Sequence, residues 1–303
     1  MGKQVIPFLI VLLGAVVMVG CSEVPGFIPI DGESDDNNYE TIEVTPPEGY
    51  SLVWSDEFQG NEIDTDIWNF DVGGHGWGNN EIQFYTDRTT GDNRNAYVEG
   101  GKLYIVARHE EYEHREFTSA RLTTKDTKAF QYGRLEARIK APHSISNPTV
   151  MDGGVWPAFW MLGDSYPDVP WPRSGEIDIW EGGGADPTHV SGAVHYSTTA
   201  TGRTNHSSTS RTIDFETPLH HNFHVYAIEW DEASIVWYID DVEVGEWVHD
   251  WVTWDEGINP MQAPYYFLLN LAIEGNYYFS GTADPANYPQ QMIVDYVRVF
   301  QKL

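Results

Sequence analysis

The sequence predicts an all-β fold, an antiparallel sandwich or barrel that occupies most of the chain. Several runs alternate apolar and polar residues with the two-residue period of a half-buried strand, and they are rich in Val, Ile, Tyr and Trp. Gly, Asn, Asp and Pro separate the runs as turns require, and no stretch keeps a helical period between capping residues. The runs are 102–110, 132–141, 224–232, 234–244, 265–273 and 292–300, and the pair 224–232 and 234–244 predicts a hairpin with a tight turn near Asp231–Ser234.

The N-terminus resembles an export signal. Lys3 supplies a positive start, and Val5–Val19 is an apolar run of signal-peptide length, shorter than the span of about 20 residues that crosses a membrane. Gly20 before Cys21 resembles a bacterial lipobox, although Met18 stands where that pattern usually has Leu. We therefore expect an exported bacterial lipoprotein on the outer membrane or cell surface, lipidated at Cys21. An ordinary secretory signal or an uncleaved anchor is the alternative.

The segment after the signal has the composition of a flexible tether. Residues 22–49 contain eight acidic residues and no Lys or Arg, with several Pro and Gly, so they cannot bury a core. Folding signals start at Tyr50. The expected organisation is a signal peptide over 1–21, an acidic tether over 22–49 and one folded domain over 50–303. Cys21 is the only cysteine, so no intramolecular disulfide can form.

The composition limits the partners. Acidic residues number 46 against 17 Lys and Arg, which gives a formal net charge of −29. This charge repels phosphate backbones and anionic membranes, so we expect no nucleic-acid partner and membrane contact only through the N-terminal lipid. The 12 Trp, 17 Tyr and 13 Phe fill part of a core and leave rings for a stacking surface, because sugar rings and bases lie flat on aromatic side chains.

The segment 174–184, SGEIDIWEGGG, carries three acidic residues on a strand-like run. Side chains alternate between the faces of a strand, so Glu176 and Asp178 share a face and Glu181 should point the other way. A β-bulge inserts one extra residue and shifts this alternation, and bulges are common beside active sites. We therefore predict a bulge around Ile179-Trp180 that brings all three acids onto one face. The three glycines that follow then end the strand.

Three acids on one face suit glycoside hydrolysis. A retaining enzyme uses two carboxyl groups roughly 5–5.5 Å apart, one as nucleophile and one as acid/base. A third acid raises the pKa of at least one of them, which keeps a proton available. A calcium site and a solvated sheet edge are the alternatives. Acids strung along one strand surround an ion poorly, and the apolar neighbours Ile177, Ile179 and Trp180 do not suit a solvated edge.

The acid segment and six others together resemble glycoside hydrolase family 16. GEIDIWE resembles the family's signature strand in its bulged form, Glu-x-Asp-x-x-Glu. The other matching segments, in order, are LVWSDEFQG (52–60), GGHGWGNNEIQFYT (73–86), TSARLTTK (118–125), YGRLEARIK (132–140), VWPAFWML (155–162) and NYPQQMIVDYVRVFQ (287–301). The combination resembles the laminarinase branch, whose members are endo-acting enzymes on β-1,3-glucans.

This resemblance implies a fold, a reaction and roles for the acids. The fold is a β-jelly-roll sandwich of two curved antiparallel sheets with an open concave cleft. The reaction is retaining hydrolysis of β-1,3-glucan by an enzyme that needs no cofactor for catalysis, with Glu176 as nucleophile and Glu181 as acid/base. From its place between them, we expect Asp178 to hydrogen-bond to Glu176 and to help manage its proton. We expect a monomer.

Six further residues are candidates for contact with sugar. Trp156, Trp160 and Trp171 resemble sugar platforms, although isolated tryptophans more often belong to the core. Among the polar candidates, Asn80 and Arg121 lie on matched segments, and a surface ion pair is the alternative for Arg121. His195 falls on the strand after the acid strand, where a structural role and a role in the cleft are both open. The set is Asn80, Arg121, Trp156, Trp160, Trp171 and His195.

The resemblance also implies one structural calcium ion on the convex side, far from the acids. Its ligands map to the backbone oxygens of Glu57 and Gly101 and to Asp295. Simple turn or strand-end polarity is the alternative for Glu57 and Asp295.

Two segments depart from the family pattern and leave the substrate open. The segment 141–154 is longer than the expected turn and either walls the cleft or blocks part of it. The run 274–277 reads Glu-Gly-Asn-Tyr where the branch usually has Gly-Gly-Asn-Trp, so a cleft tryptophan is absent there. Mixed-linkage β-1,3-1,4-glucan and agar are therefore alternative substrates. A glucan-binding lectin on the same fold is the alternative of another class, and the three intact acids argue against it.

Overall fold

The computed structural model describes residues 43–199, 206–249, 252 and 259–303, which belong to one compact unit, Tyr39–Leu303. Cys21, the predicted signal and most of the predicted tether lie outside the described residues. Among the described residues, no helix has the length and apolar character of a membrane span. The described helices are three short 3-10 turns, Leu219–His221, Pro260–Gln262 and Pro285–Asn287.

Seventeen strands build the described part of the chain. In order they are β1 Tyr50–Asp56, β2 Asn69–Phe70, β3 Gln83–Tyr85, β4 Ala96–Glu99, β5 Lys102–Tyr112, β6 Arg115–Ser119, β7 Arg121–Thr123, β8 Gly133–Ser144, β9 Val155–Gly163, β10 Glu176–Gly183, β11 Asp186–Ser197, β12 His206–Asp214, β13 Phe223–Trp230, β14 Ser234–Ile239, β15 Val242–Val248, β16 Tyr265–Ile273 and β17 Gln290–Lys302.

The strands form two sheets, as the sequence predicts for a jelly-roll sandwich. The larger sheet has the order β15-β14-β13-β8-β17-β5-β6-β3, with β1 paired to β17 and β4 to β5. The smaller sheet has the order β12-β11-β10-β9-β16-β7-β2. All pairs are antiparallel except β3 with β6, which are parallel. The first and last strands, β1 and β17, pair with each other, so the two ends of the domain lie side by side.

The core lies between the sheets and explains the alternation of the strands. Trp180 of β10 stacks on Tyr226 of β13, with ring centroids 4.5 Å apart, and both side chains are fully buried. Strand β16 is buried along its whole length because other strands and the cleft residues cover both its faces. The run 265–273 therefore does not alternate as predicted: it is apolar throughout except for Asn270, because both faces of the strand are covered.

The predicted hairpin is confirmed, but its second strand is shorter than expected. Asp231 closes the first turn, where its Oδ1 accepts hydrogen bonds from the backbone of Ala233 and Ser234. The run 234–244 is not one strand, because Asp240 and Asp241 both have positive φ angles, 50° and 63°. These angles fit a two-residue turn that returns the chain as β15.

Candidate active site

The predicted bulge is present on β10 and places the three acids on one face. On β9, Leu162 pairs with Glu176, Trp160 with Asp178 and Ala158 with Glu181. Those three β9 residues are alternate positions and face the same side, so their partners do too. Between them, Ile179 and Trp180 of β10 stand opposite one residue of β9, Phe159, where the register shifts.

The core and a tryptophan of the opposite sheet hold the bulge in place. Ile179 and Trp180 are both buried in the core, so their apolar side chains favour the conformation in which both turn inward. The indole of Trp237 on β14 donates to the backbone oxygen of Asp178 at 2.9 Å, which satisfies an acceptor beside the disrupted ladder. This approach requires glycine at position 192, because a Cβ there would lie 2.3 Å from Trp237 Nε1.

Two tryptophans donate hydrogen bonds to Glu176 and Glu181, the first and last of the three acids. Trp171 Nε1 donates to Glu176 Oε2 at 3.1 Å, and Trp156 Nε1 donates to Glu181 Oε1 at 3.0 Å. Each bond stabilises the ionised carboxylate and fixes its orientation. The two indoles therefore hold the two acids from opposite ends of the acid strand.

Asp178 lies deepest of the three acids and faces a histidine. Its side chain is 5% exposed, against 18% for Glu176. Nε2 of His195 on β11 is 3.2 Å from Asp178 Oδ2 and 3.7 Å from Glu176 Oε1. His195 therefore contacts the inner acid, Asp178, and lies beside Glu176.

Burial raises the pKa of Glu176, Asp178 and Glu181 to about 8. Repulsion from Asp178 adds to the rise at Glu176 and Glu181, whereas the Trp156 hydrogen bond and the nearby His195 oppose it at Glu181. Because the three groups interact, they titrate as a cluster that shares protons. The cluster therefore retains protons at neutral pH, and Glu176, with the Trp171 donor beside it, is well placed to hold negative charge.

The acids open into a cleft of about 510 Å³ that lies across β7, β16, β9 and β10. Aromatic rings line it on both sides of the acids, among them Trp77, Trp156, Trp160, Tyr166 and Trp171. Aromatic faces with interspersed polar groups are suited to sugar rings, which present flat apolar C–H faces and hydroxyl edges.

An arginine joins two of these rings. The guanidinium of Arg121 lies 4.8 Å from the ring centroid of Trp77 and 4.9 Å from that of Trp160. It also forms an ion pair with Asp71 at 2.9 Å. Arg121 is thus both an ion-pair partner and a cleft residue, because its cation–π contacts orient two of the rings.

A hydrogen-bond network supports the floor of the cleft. Trp160 Nε1 donates to Asn270 Oδ1 at 2.7 Å, and the Asn270 amide donates to the hydroxyl of Tyr85 at 3.2 Å. Tyr85 in turn donates to the buried Glu81 at 2.9 Å. The network fixes the plane of the Trp160 indole.

Comparison with known proteins decides the family. The model of glycosyl hydrolases family 16 matches residues 80–297. The chain belongs to family 16. It is 41% identical to a β-glucanase of Rhodothermus marinus, over 83% of this chain and 85% of that protein.

Solved family 16 structures have the same fold. The laminarinase of Rhodothermus marinus has a TM-score of 0.71 and 38% identity, over 84% of this chain and 98% of that one. The catalytic domain of an endo-1,3-β-glucanase (laminarinase) of Thermotoga petrophila has a TM-score of 0.70 and 36% identity, over 84% and 98%. The fold class and the assignment as a glycoside hydrolase are therefore confirmed.

Most of the residues expected to contact sugar lie in or beside the family 16 cleft. Trp156, Trp160, Trp171 and Arg121 line it, and His195 lies beside the acids. Asn80 is not one of the lining residues. It has a positive φ of 59°, and its amide donates to Asn276 Oδ1 at 3.0 Å, while the preceding residue, Asn79, lines the cleft.

The long segment 141–154 contributes no residue to the lining of the cleft. Its first part continues β8 to Ser144. The rest is anchored by the buried Asp152, whose carboxylate accepts hydrogen bonds from Asn287 Nδ2 at 3.0 Å and Tyr288 OH at 3.1 Å. These contacts hold the segment against the start of β17.

The residues expected to bind calcium are engaged with protein groups. Asp295 Oδ2 accepts from Arg138 at 2.7 Å, and its Oδ1 lies 3.9 Å from Lys102 Nζ. The Gln59 amide nitrogen donates to the Glu57 backbone oxygen at 3.3 Å and lies next to Gly101. Both acceptors already have donors, so the residues as placed do not fit a calcium ion without displacing Arg138 and Gln59.

Three residues that matter to the site were missed from the sequence. Trp77 lies within a segment used for the family resemblance, and a tryptophan in a glycine-rich loop was a usable signal. Trp237 gave no local signal, since it acts through Asp178, distant in the chain, at 2.9 Å. Tyr277 stood out in the sequence only as the place of an absent cleft tryptophan, and its stacking on Trp156, at a ring separation of 5.1 Å, was missed.

Proposed function

We propose that this family 16 hydrolase is a retaining endo-β-glucanase that cleaves β-1,3-glucan by double displacement. The observation that carries the proposal is the acid strand, in which a bulge aligns Glu176, Asp178 and Glu181 on the floor of a cleft. The similar proteins known as laminarinases support β-1,3-glucan as the substrate. A cleft that lies across four strands suits attack within a long chain rather than only at its end.

In the first half-reaction, Glu176 attacks the anomeric carbon of the sugar. The Trp171 hydrogen bond holds one carboxylate oxygen of Glu176 at 3.1 Å, which leaves the other oxygen free for the attack. The bond from the anomeric carbon to the leaving oxygen breaks, and Glu181 delivers its proton to that oxygen. The raised pKa of Glu181 keeps this proton available near neutral pH.

In the second half-reaction, the glycosyl–enzyme ester on Glu176 is hydrolysed. Glu181, now ionised, accepts a proton from a water molecule, and the resulting oxygen bonds to the anomeric carbon while the ester bond to Glu176 breaks. Two displacements at the same carbon retain its β configuration. The Trp156 hydrogen bond stabilises the ionised form of Glu181 during this half of the cycle.

Asp178 and His195 act on the charge of Glu176. His195 lies within 4 Å of both acids. The pKa values of Glu176 and Asp178 are both raised to about 8, so the two acids share protons, and Asp178 can hold a proton when Glu176 is ionised. This arrangement leaves Glu176 ionised as the nucleophile while Asp178 holds the proton.

The test is product analysis on laminarin, barley glucan, lichenan and agarose in parallel, with Glu176→Gln and Glu181→Gln as inactive controls. Oligosaccharides of mixed length from laminarin, with the β anomer formed first in ¹H NMR, support the proposal. Faster cleavage of barley glucan or lichenan would reassign the substrate to mixed-linkage glucan, and agarose cleavage would reassign it to agar. Binding to laminarin without cleavage of any polymer would support the lectin function.

We further propose that the chain is an exported lipoprotein anchored through Cys21. The support is the apolar run that ends at Gly20-Cys21. Cys21→Ser should move the protein from the membrane fraction to the soluble fraction, and unchanged membrane association would contradict the anchor.

The structural calcium ion and the monomeric state stay predictions. If calcium binds at Glu57, Gly101 and Asp295, the melting temperature should rise with Ca²⁺ and fall with a chelator, and Asp295→Asn should remove the difference. Light scattering of the purified domain measures the oligomeric state.

A further inference from the structure

The loop after β16 supports the tryptophan that binds Glu181. The ring of Tyr277 lies parallel to that of Trp156, with a centroid distance of 5.1 Å and an interplanar angle of 9°. On the same loop, Gly275 approaches so closely that a Cβ there would lie 3.2 Å from the Trp156 ring. Trp156 therefore packs against this loop at its back, while its Nε1 donates to Glu181 at 3.0 Å.

The hydroxyl of Tyr277 is tied to the strand beside the acids. It forms a hydrogen bond of 2.7 Å with Ser191 Oγ, and Ser191 is the residue of β11 that pairs with Glu181. The same hydroxyl lies 3.5 Å from the backbone oxygen of Glu181. Burial and the charges of Glu181 and Asp178 raise the pKa of Tyr277, so the hydroxyl stays protonated throughout the working pH range.

Tyr277 touches the supports of Glu181 rather than the cleft. It is not one of the cleft-lining residues, and its side chain contacts the Trp156 ring, Ser191, the backbone of Glu181 and, on its own loop, the ring of Phe279. Any effect of Tyr277 on the chemistry must therefore pass through the orientation of Trp156 and of the acid strand.

We propose that Tyr277 is a positioning residue that, together with Ser191, holds Trp156 in the orientation from which its indole donates to Glu181. The proposal rests on the proposed role of Glu181 as the acid/base. The ring of Tyr277 supplies the stacking face for Trp156, and its hydroxyl supplies the anchor to Ser191.

Loss of the Trp156 hydrogen bond should raise the pKa of Glu181 and change the pH dependence of catalysis. The Trp156 hydrogen bond stabilises the carboxylate of Glu181 and so lowers its pKa. When Trp156 is released, this stabilisation is lost, and the pKa of Glu181 rises further above its ordinary value. The alkaline limb of kcat/KM should then move to higher pH, and proton delivery to the leaving group should become less efficient because the acid is no longer held in place.

The test compares Tyr277→Ala, Tyr277→Phe and Tyr277→Trp with the parent on two substrates. One is laminarin, whose sugar leaving group needs a proton, and the other is a dinitrophenyl β-laminarioside, whose leaving group departs without one. On laminarin, Tyr277→Ala should lower kcat/KM about 10- to 100-fold, a part of what a general acid contributes, and should shift the alkaline limb upward. On the activated substrate, glycosylation should remain within about threefold of the parent, because it does not use the acid.

The other variants measure the contributions of the Tyr277 ring and the Tyr277 hydroxyl one at a time. Tyr277→Phe keeps the stacking ring and should lose roughly two- to tenfold, as expected for one hydrogen bond, and Ser191→Ala should lose the same amount without further loss in the double variant. Tyr277→Trp should restore most of the activity that Tyr277→Ala lacks. Tyr278→Ala is the matched control, since Tyr278 is 88% exposed and should leave both rates unchanged.

Failure of this proposal and failure of the proposed function give different results. If Tyr277→Ala folds and loses activity equally on both substrates, with an unchanged pH profile, Tyr277 has only a structural role. If Tyr277→Ala does not fold, the Tyr277→Phe and Ser191→Ala pair decides, and additive losses in the double variant would overturn the proposal. If Glu181→Gln retains activity on laminarin, the acid/base assignment itself is wrong.

Discussion

Replacing Glu176 with Gln should abolish hydrolysis and at the same time stabilise the fold, more at pH 7 than at pH 5. Burial raises the pKa of Glu176 from 4.5 to about 8. A group whose folded pKa is raised contributes stability below its unfolded pKa, and this contribution is lost as the pH rises through the folded pKa. Glutamine has no proton to lose, so the variant should avoid that loss.

The expected change in folding stability follows from the size of the pKa shift at Glu176. At about 1.4 kcal/mol per pKa unit, an isolated group with this shift destabilises the folded state by about 3 kcal/mol at pH 7 and by about 1 kcal/mol at pH 5. The Glu176 side chain is 18% exposed and shares protons with two other acids, so we expect a pH-dependent gain of roughly 1–2 kcal/mol. In a domain of this size, that corresponds to a rise in Tm of about 2–8 °C.

The assay is thermal unfolding followed by circular dichroism at both pH values. Glu116→Gln on β6 is the control, because Glu116 is exposed and its replacement should give the same small change at pH 5 and pH 7. A Glu176→Gln variant whose Tm change is equal at the two pH values would refute the reasoning, and so would a variant that is less stable at pH 7.

Two further predictions concern the supports of the acids. Trp171→Phe removes the donor to Glu176, so the pKa of Glu176 should rise, the acidic limb of kcat/KM should move to higher pH, and the rate at neutral pH should fall about tenfold; an unchanged acidic limb would contradict this. Gly192→Ala places a Cβ 2.3 Å from Trp237 Nε1, so it should cost about 2–4 kcal/mol in urea unfolding and most of the activity. A fully stable and active Gly192→Ala would show that the bulge does not need the Trp237 hydrogen bond to Asp178.

The bulge was predictable because the three acids do not follow the two-residue alternation of a regular strand. Three acids share a function only if they share a face, and Glu181 stands one position out of step with Glu176 and Asp178. One extra residue in the strand brings Glu181 onto the face of the other two acids. The apolar side chains of Ile179 and Trp180 can both be buried at that insertion. Periodicity likewise predicts most strands, since burial of one face imposes it directly.

The parts that could not be predicted depend on contacts between distant residues or on backbone angles. The hydrogen bond from Trp237 to Asp178 joins two sheets, and no local pattern near either residue indicates it. The turn at Asp240-Asp241 was hidden because the run 234–244 alternates well enough to resemble one strand, whereas the positive φ angles of the two aspartates end it. Trp171 was expected to be a sugar platform, and its hydrogen bond to Glu176 depends on a loop orientation that the sequence does not specify.

The measurement that tests the central assignment most directly is the site of covalent labelling in the glycosyl–enzyme intermediate. An activated 2-deoxy-2-fluoro β-laminaribioside forms the ester with the nucleophile but slows its hydrolysis, so that the labelled peptide accumulates and can be sequenced by mass spectrometry. One sugar adduct on Glu176, absent in Glu176→Gln and hydrolysed slowly on dilution, is the predicted result. An adduct on Asp178 or Glu181, or rapid turnover of laminarin by Glu176→Gln, would contradict the assignment of Glu176 as the nucleophile.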